Sequence, residues 1–232
     1  MEWTKEFRRD VVEWDTVNWS RAIDFWNVDG LLAAGASRVL DLGARGGGLS
    51  LLFAQRAASN DIKVVCSDLT EPSKTAGSLH QKYGVTDRIS YAAVDATKIS
   101  ESEAYDVICF KSVLGGVGYQ DNKEAQRIAI QNCYRALKPG GHLVFAENLV
   151  ASPLHQALRK RFNAWTYWRY VTVDEVQEFC RDFSKVDYRC YGFLGTFGRS
   201  VGQRDLLGRV DTCFDRLLPE RAKYIISVVA EK

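Results

Sequence analysis

The chain has 232 residues, 46% of them hydrophobic and 26% charged, with a formal net charge of +2. That length supports one sizeable domain with a buried core, and the near-neutral balance excludes wholesale coating of nucleic acid, although a local basic patch is allowed. The six cysteines form no C-x-x-C pair, and no stretch reaches the ~18 continuous apolar residues of a membrane span, so reduced structural thiols and no bilayer-crossing segment are expected.

From the N-terminus, MEWTKEFRRDVVEW is charged and lacks the apolar heart of a secretory signal, which predicts a cytoplasmic protein. WDTVNWSRAIDFW (14 to 26) puts Trp19, Ile23 and Trp26 on one helical face, so residues 1–36 read as a helical cap. Strand-like runs follow at RVLDL (38 to 42), IKVVCSD (62 to 68), RISYAAVD (88 to 95), YDVICF (105 to 110) and HLVFAE (142 to 147). Helical segments separate them at 49–59, 73–84 and 122–141, the last stopped by Pro139 and two glycines, while 96–104 is short and less clearly helical. Continuous apolar strands alternating with helices predict a parallel sheet covered on both faces, in one domain spanning 1–232.

Beyond Glu147 the pattern changes. LHQALRKRFNAWTYWRY (154 to 170) spaces Leu154, Leu158, Phe162, Trp165 and Trp168 by three or four residues, predicting an amphipathic helix in an insertion at 151–171. Thr172 and Glu175 form a capping-box pattern opening a helix to about Phe183. Residues 186–194 and 223–231 read as strands six and seven joined by a helix over 202–218, which leaves their direction open.

The pieces VLDLGARGGGLSLLFA, VVCSDL, YAAVDATKI and YDVICFKSVLGG with RALKPGGHLVFAEN, in this order over about 38–148, resemble class I S-adenosylmethionine-dependent methyltransferases. The resemblance implies a Rossmann-like α/β fold whose mostly parallel seven-stranded sheet runs 3-2-1-4-5-7-6 with strand seven antiparallel, and S-adenosylmethionine as cofactor. It places Asp41 beside the methionine amino group and Asp95 with Ala96 at the adenine amine. The residues agree: Gly43 and Gly47 permit close backbone approach, and Asp68, followed by Leu69, stands about 20 residues past the loop, where an acid takes ribose hydroxyls. That acid serves NAD equally well. Arg45 departs from the D-x-G-x-G-x-G pattern and points either to solvent or to the cofactor carboxylate. Trp19, with Trp14 and Trp26, either closes the cofactor pocket over the sulfonium or packs helices.

Catalysis is expected beyond the carboxyl ends of the strands, where Lys111, Ser112, Glu147, Asn148 and His155 fall. His155, Glu147 and Lys111 are the catalytic candidates, His155 as general base or as a solvated surface side chain, and Lys111 is also expected to contact the cofactor. The Glu147-Asn148 pair resembles that of metal-dependent catechol-type enzymes, but strand four ends in Lys111-Ser112 and lacks the second hard oxygen ligand, so no metal is expected. The insertion reads as an acceptor lid, as packing, or as a peripheral membrane contact; Arg159, Lys160, Arg161 and Arg169 favour an anionic acceptor. The expected reaction is O-methylation of a small molecule or saccharide, including polysaccharide or glycolipid precursors, because GARGGGLSL and FAENL resemble bacterial cell-surface polysaccharide enzymes. N-methylation and nucleic-acid methylation are the enzymatic competitors, the latter disfavoured because KSVLGG stands where an N/D-P-P-Y/F element is typical. A non-catalytic cofactor-binding scaffold is the competitor from another class. Oligomeric state is left open.

Overall fold

The computed structural model describes residues 3–58, 61–70, 74–161 and 167–232. Three helices, α1 (Lys5–Val12), α2 (Thr16–Asp24) and α3 (Val28–Ala33), precede the sheet. Alternation then begins: β1 (Arg38–Leu42), α4 (Gly48–Arg56), β2 (Lys63–Asp68), α5 (Lys74–Lys82), β3 (Ile89–Ala93), β4 (Tyr105–Lys111), α6 (Leu114–Val117), α7 (Lys123–Ala136) and β5 (Leu137–Asn148). The chain closes with α8 (Pro153–Arg161), α9 (Val173–Phe179), β6 (Lys185–Tyr191), α10 (Val201–Phe214) and β7 (Ile225–Glu231).

The seven strands form one sheet in the order β3-β2-β1-β4-β5-β7-β6, with β7 antiparallel to both neighbours and all other pairings parallel. Central strands carry apolar residues on both faces because both are covered: Val39, Val64, Val107 and Val144 meet α1, α2 and α4, while Leu40, Ile108, Leu143 and Phe145 meet α7 and α9. The expected short segment between β3 and β4 is a single 3-10 turn at Ala96–Lys98. β5 starts earlier than the apolar run implied, at Leu137, because KPGG continues the pairing with an irregularity between Tyr105 and Val107.

Caps set several boundaries. The Thr4 hydroxyl accepts from Phe7 N, Asn122 from Ala125 N, and the predicted Thr172–Glu175 capping box is present with both its hydrogen bonds. α10 leaves and returns to one rim of the sheet, since the end of β6, Tyr191, pairs with Ile225, where β7 begins, opposite Asn148 at the carboxyl end of β5.

The insertion is helical only in part. α8 turns Leu154 outward at 51% exposure and buries His155 at 1%, so the expected apolar stripe does not face the core at this end. Phe162 and Trp165 lie outside the described residues. Further on, Leu149 bridges Val171, Val150 N donates to Val171 O, and Arg169 N donates to Gly115 O, which lays this stretch along the turn after β4.

Candidate active site

The carboxyl ends of β1, β2 and β4 meet at one rim. After β1 the chain turns through Gly43 at φ +61°, Arg45 at +49° and Gly47 at +81°, left-handed angles that glycine takes freely and arginine at a cost of about 1–2 kcal/mol. The loop is docked on β2: Ala44 N donates to Ser67 O at 2.7 Å and Arg45 N to the Asp68 carboxylate at 3.0 Å, while Leu69 N donates to the other Asp68 oxygen at 2.8 Å. Leu69 itself projects from the rim. Val94 N donates to Asp68 O, which brings Asp95 to the same rim; its carboxylate accepts from Thr97 N and Oγ1, and these hydrogen bonds hold it below the usual carboxylate range. Ala96 is buried and its carbonyl accepts from Asn132.

Asp41 is fully buried. Its Oδ2 accepts from Ser50 N at 2.8 Å and Ser50 Oγ at 2.7 Å, but its Oδ1 has no partner, and desolvation pushes the carboxyl up to about 7. A buried carboxylate oxygen without a donor is costly unless a cation arrives. This is the feature that fits the amino group of a methionine moiety.

His80, which chain position alone does not single out, is central here. It is buried on α5 under the loop, Nε2 2.9 Å from Gly47 O and Nδ1 2.7 Å from the Tyr91 hydroxyl. These bonds fit a neutral ring donating to Gly47, and desolvation lowers its pKa accordingly. A Cβ on Gly47 would lie 2.6 Å from the His80 ring, so the pair fit as a unit. The only sequence signal was a histidine on the sheet-facing side of the second crossover helix.

The cap closes the other side. Trp14 stands edge-on to buried Trp19 at 6.4 Å, the Lys111 ammonium sits 3.7 Å above the Trp14 ring and 5.2 Å from Trp19, and Arg45 faces the Trp14 ring at 5.3 Å. The Arg45 guanidinium also lies 3.6 Å from Glu13, with its side chain 72% exposed, so Arg45 ties loop to cap rather than dangling in solvent. Trp26 follows the packing alternative: it is buried in the core and borders a cleft with His142 and Arg189. Lys111 makes no hydrogen bond or ion pair among the described residues; desolvation lowers it to about 8, opposed by nearby Glu13.

Two catalytic candidates are corrected. His155 has Nδ1 2.6 Å from Ser152 Oγ and Nε2 2.9 Å from Phe193 O, and its ring stacks on Phe197. Both nitrogens are spent inside the protein, so no lone pair faces an acceptor; His155 anchors α8. Glu147 is buried and accepts from Leu114 N at 2.7 Å and Asn148 N at 2.8 Å, with desolvation raising it to about 7. It braces the turn after β4. The Asn148 amide donates to Ser112 Oγ at 2.9 Å. Of the basic residues in the insertion, Arg159 donates to Leu149 O and Val150 O and stacks on Tyr170, and Arg169 binds Glu175 and Asp121, so only Lys160 and Arg161 of that set are exposed without such contacts.

This sheet order, with a glycine loop and strand-end acids at one rim, is the architecture of class I S-adenosylmethionine-dependent methyltransferases. Residues 20–189 match the family described as a methyltransferase domain, and the chain belongs to that family. Among curated relatives, the ubiquinone/menaquinone biosynthesis C-methyltransferase UbiE of Methylococcus capsulatus is 29% identical over 132 residues, 56% of this chain and 50% of that protein. The ubiquinone biosynthesis O-methyltransferase of Pseudomonas entomophila is 30% identical over 132 residues, 56% of this chain and 49% of that protein. The chain thus spans about half the length of the curated relatives it matches. A solved structure, the N-methyltransferase NodS of Bradyrhizobium japonicum in complex with S-adenosyl-L-homocysteine, superposes with a TM-score of 0.57 at 19% identity, covering 92% of this chain and 86% of that one. At that identity the likeness concerns the fold.

Proposed function

We propose that the protein methylates a hydroxyl of a small molecule, without a metal, and that the acceptor is a hydroxylated aromatic ring. The observation that carries this is Lys111: an ammonium held over Trp14, with no hydrogen bond or ion pair among the described residues and an affinity for protons near neutrality. Asp41, Gly43, Gly47, Asp68, Asp95 and the Trp14–Trp19 wall would hold the cofactor. When bound, S-adenosylmethionine supplies a methyl group on a sulfonium that leaves as a neutral thioether.

Lys111, in its neutral form, takes the acceptor proton while the acceptor oxygen bonds to the methyl carbon. A phenol, with a pKa of about 10, is within reach of an amine near 8. A saccharide hydroxyl is a far weaker acid and finds no stronger base at this rim, so the saccharide expectation becomes the alternative. The relatives support the aromatic reading, since their names place both C- and O-methylation in quinone biosynthesis. Glu147 and Asn148 keep their part as positioning residues, holding the turn that carries Ser112.

Lys111→Met tests this with phenolic, amine and saccharide acceptor panels and mass analysis of products. Turnover on phenols should fall about a hundredfold or more, the range of a lost general base. The limb of the kcat/KM profile near pH 8 should vanish, while cofactor affinity by calorimetry changes less than tenfold. A variant that keeps the limb, or product formed only from amines or saccharides, would refute the assignment.

A further inference from the structure

The outer face of α10 and the turns that flank it expose apolar and basic side chains together. Leu206, Arg209, Cys213 and Leu217 follow one another at three- and four-residue steps and are all exposed, Leu206 at 62% and Leu217 at 79%. Val201 and Phe214 are exposed beside them, as are Arg199 and Arg216.

The three aspartates of this segment are engaged within the protein, whereas Glu220 after it is exposed. Asp211 is buried, accepting from Asn18 Nδ2 and from Leu194 N and Gly195 N; Asp215 accepts from Gly192 N and pairs with Arg21; Asp205 accepts from the Thr16 hydroxyl. Glu220, beyond the helix, accepts from the Tyr188 hydroxyl. Arg199, Arg209 and Arg216 make no ion pair among the described residues. Folding therefore sorts the charges of α10, leaving an apolar and cationic outer face. Across the Phe193–Phe197 turn, on which His155 packs, α8 exposes Leu154, Lys160 and Arg161.

The geometry points to α10 as a docking surface for an anionic lipid bilayer, entered by Leu206, Phe214 and Leu217 and held electrostatically by Arg199, Arg209 and Arg216. An apolar helix face with arginines on its flanks is the pattern that lies in a headgroup region. A second copy of the chain fits less well, because a two-fold contact would set the cationic face against itself. The connection that carries α10 leaves β6 and enters β7 at the carboxyl-end rim of the sheet, so a docked molecule draws its acceptor from, or returns its product to, the lipid phase. This inference concerns a surface and stands whether or not Lys111 is the base.

Flotation of the whole protein with phosphatidylcholine vesicles, with and without phosphatidylglycerol, tests it. Binding is expected only with phosphatidylglycerol and should weaken as salt rises. Arg209→Gln with Arg216→Gln should weaken it roughly twenty-five-fold, about fivefold for each arginine near an anionic surface. Leu206→Ser with Leu217→Ser should abolish it, with unchanged circular dichroism and cofactor affinity. Absence of binding, binding equal on neutral vesicles, or binding unaffected by these variants would overturn the proposal. So would a leucine variant that turns a dimer into a monomer without altering flotation.

Discussion

Two histidines exchange the parts that chain position alone assigns them. His155 follows the right strand to be a base, yet Ser152 and Phe193 occupy both ring nitrogens. His80 sits in the last turn of a crossover helix, yet it bonds the carbonyl of Gly47 at the turn of the cofactor loop. Replacing His80 with phenylalanine leaves that buried carbonyl unpaired, at about 1–3 kcal/mol. Cofactor affinity measured by calorimetry should drop about tenfold or more, and the melting temperature should fall by about 2–4 °C for each kcal/mol lost. Tyr91→Phe removes only the outer bond and should have a smaller effect on both; equal effects would count against the Gly47 contact. Arg45 also acquires a reason: its left-handed backbone explains why glycine is usual there, and its guanidinium reaches Glu13 and Trp14 at the edge of the pocket.

Among the elements, the turn after β4 and the end of the insertion behave as one unit. Trp168 lies so close over Gly115 that an added Cβ would fall 1.8 Å from its indole nitrogen. Gln126 Nε2 donates to Leu114 O and Arg169 O, and Arg169 returns a bond to Gln126 Oε1 at 2.6 Å. Gly115→Ala should push Trp168 away at about 1–3 kcal/mol of overpacking. On the reading of the insertion as an acceptor lid, KM for the acceptor should rise while the cofactor dissociation constant stays put, and a rise in both would count against that reading. The cap is bound in a different manner, through the Tyr224 hydroxyl, Asp15, Asn18 and Asp211, a buried polar cluster joining α2 to α10.

Across the whole molecule, Asp15, Asp41 and Glu147 share one property: desolvation raises each to about 7. The unfolded chain ionises such groups near pH 4, so between about pH 4 and pH 7 the folded state holds more protons. Their stabilising effect is complete below about pH 4 and is lost as pH rises through about 7. Asp95, Asp106 and Glu175, whose carboxyls are lowered, act the other way and lose stability as acid protonates them below the usual range. The ligand-free protein should therefore melt highest near about pH 4 and lose stability towards 7. Asp41→Asn should reduce that slope, and S-adenosylhomocysteine, whose ammonium would keep Asp41 ionised, should flatten it. A flat ligand-free profile across this window would show that these carboxyls are ionised throughout.

The order of strands and helices, the glycine loop, the acids ending β1 and β2 and the capping box of α9 were legible in the chain, because each depends on contacts within a few residues or on a hydrophobic period. The direction of β7 was legible only through family resemblance, since a helical connection serves either direction. Tertiary structure alone decided which polar groups are spent and which are available. Whether His155, Glu147 or Lys111 keeps a lone pair, and whether the aspartates of α10 face in or out, depends in part on distant partners such as Leu114 for Glu147, Phe193 for His155 and Asn18 for Asp211. A linear pattern carries side-chain chemistry and local periodicity, whereas the cost of burying a charge is set by neighbours that only folding brings together.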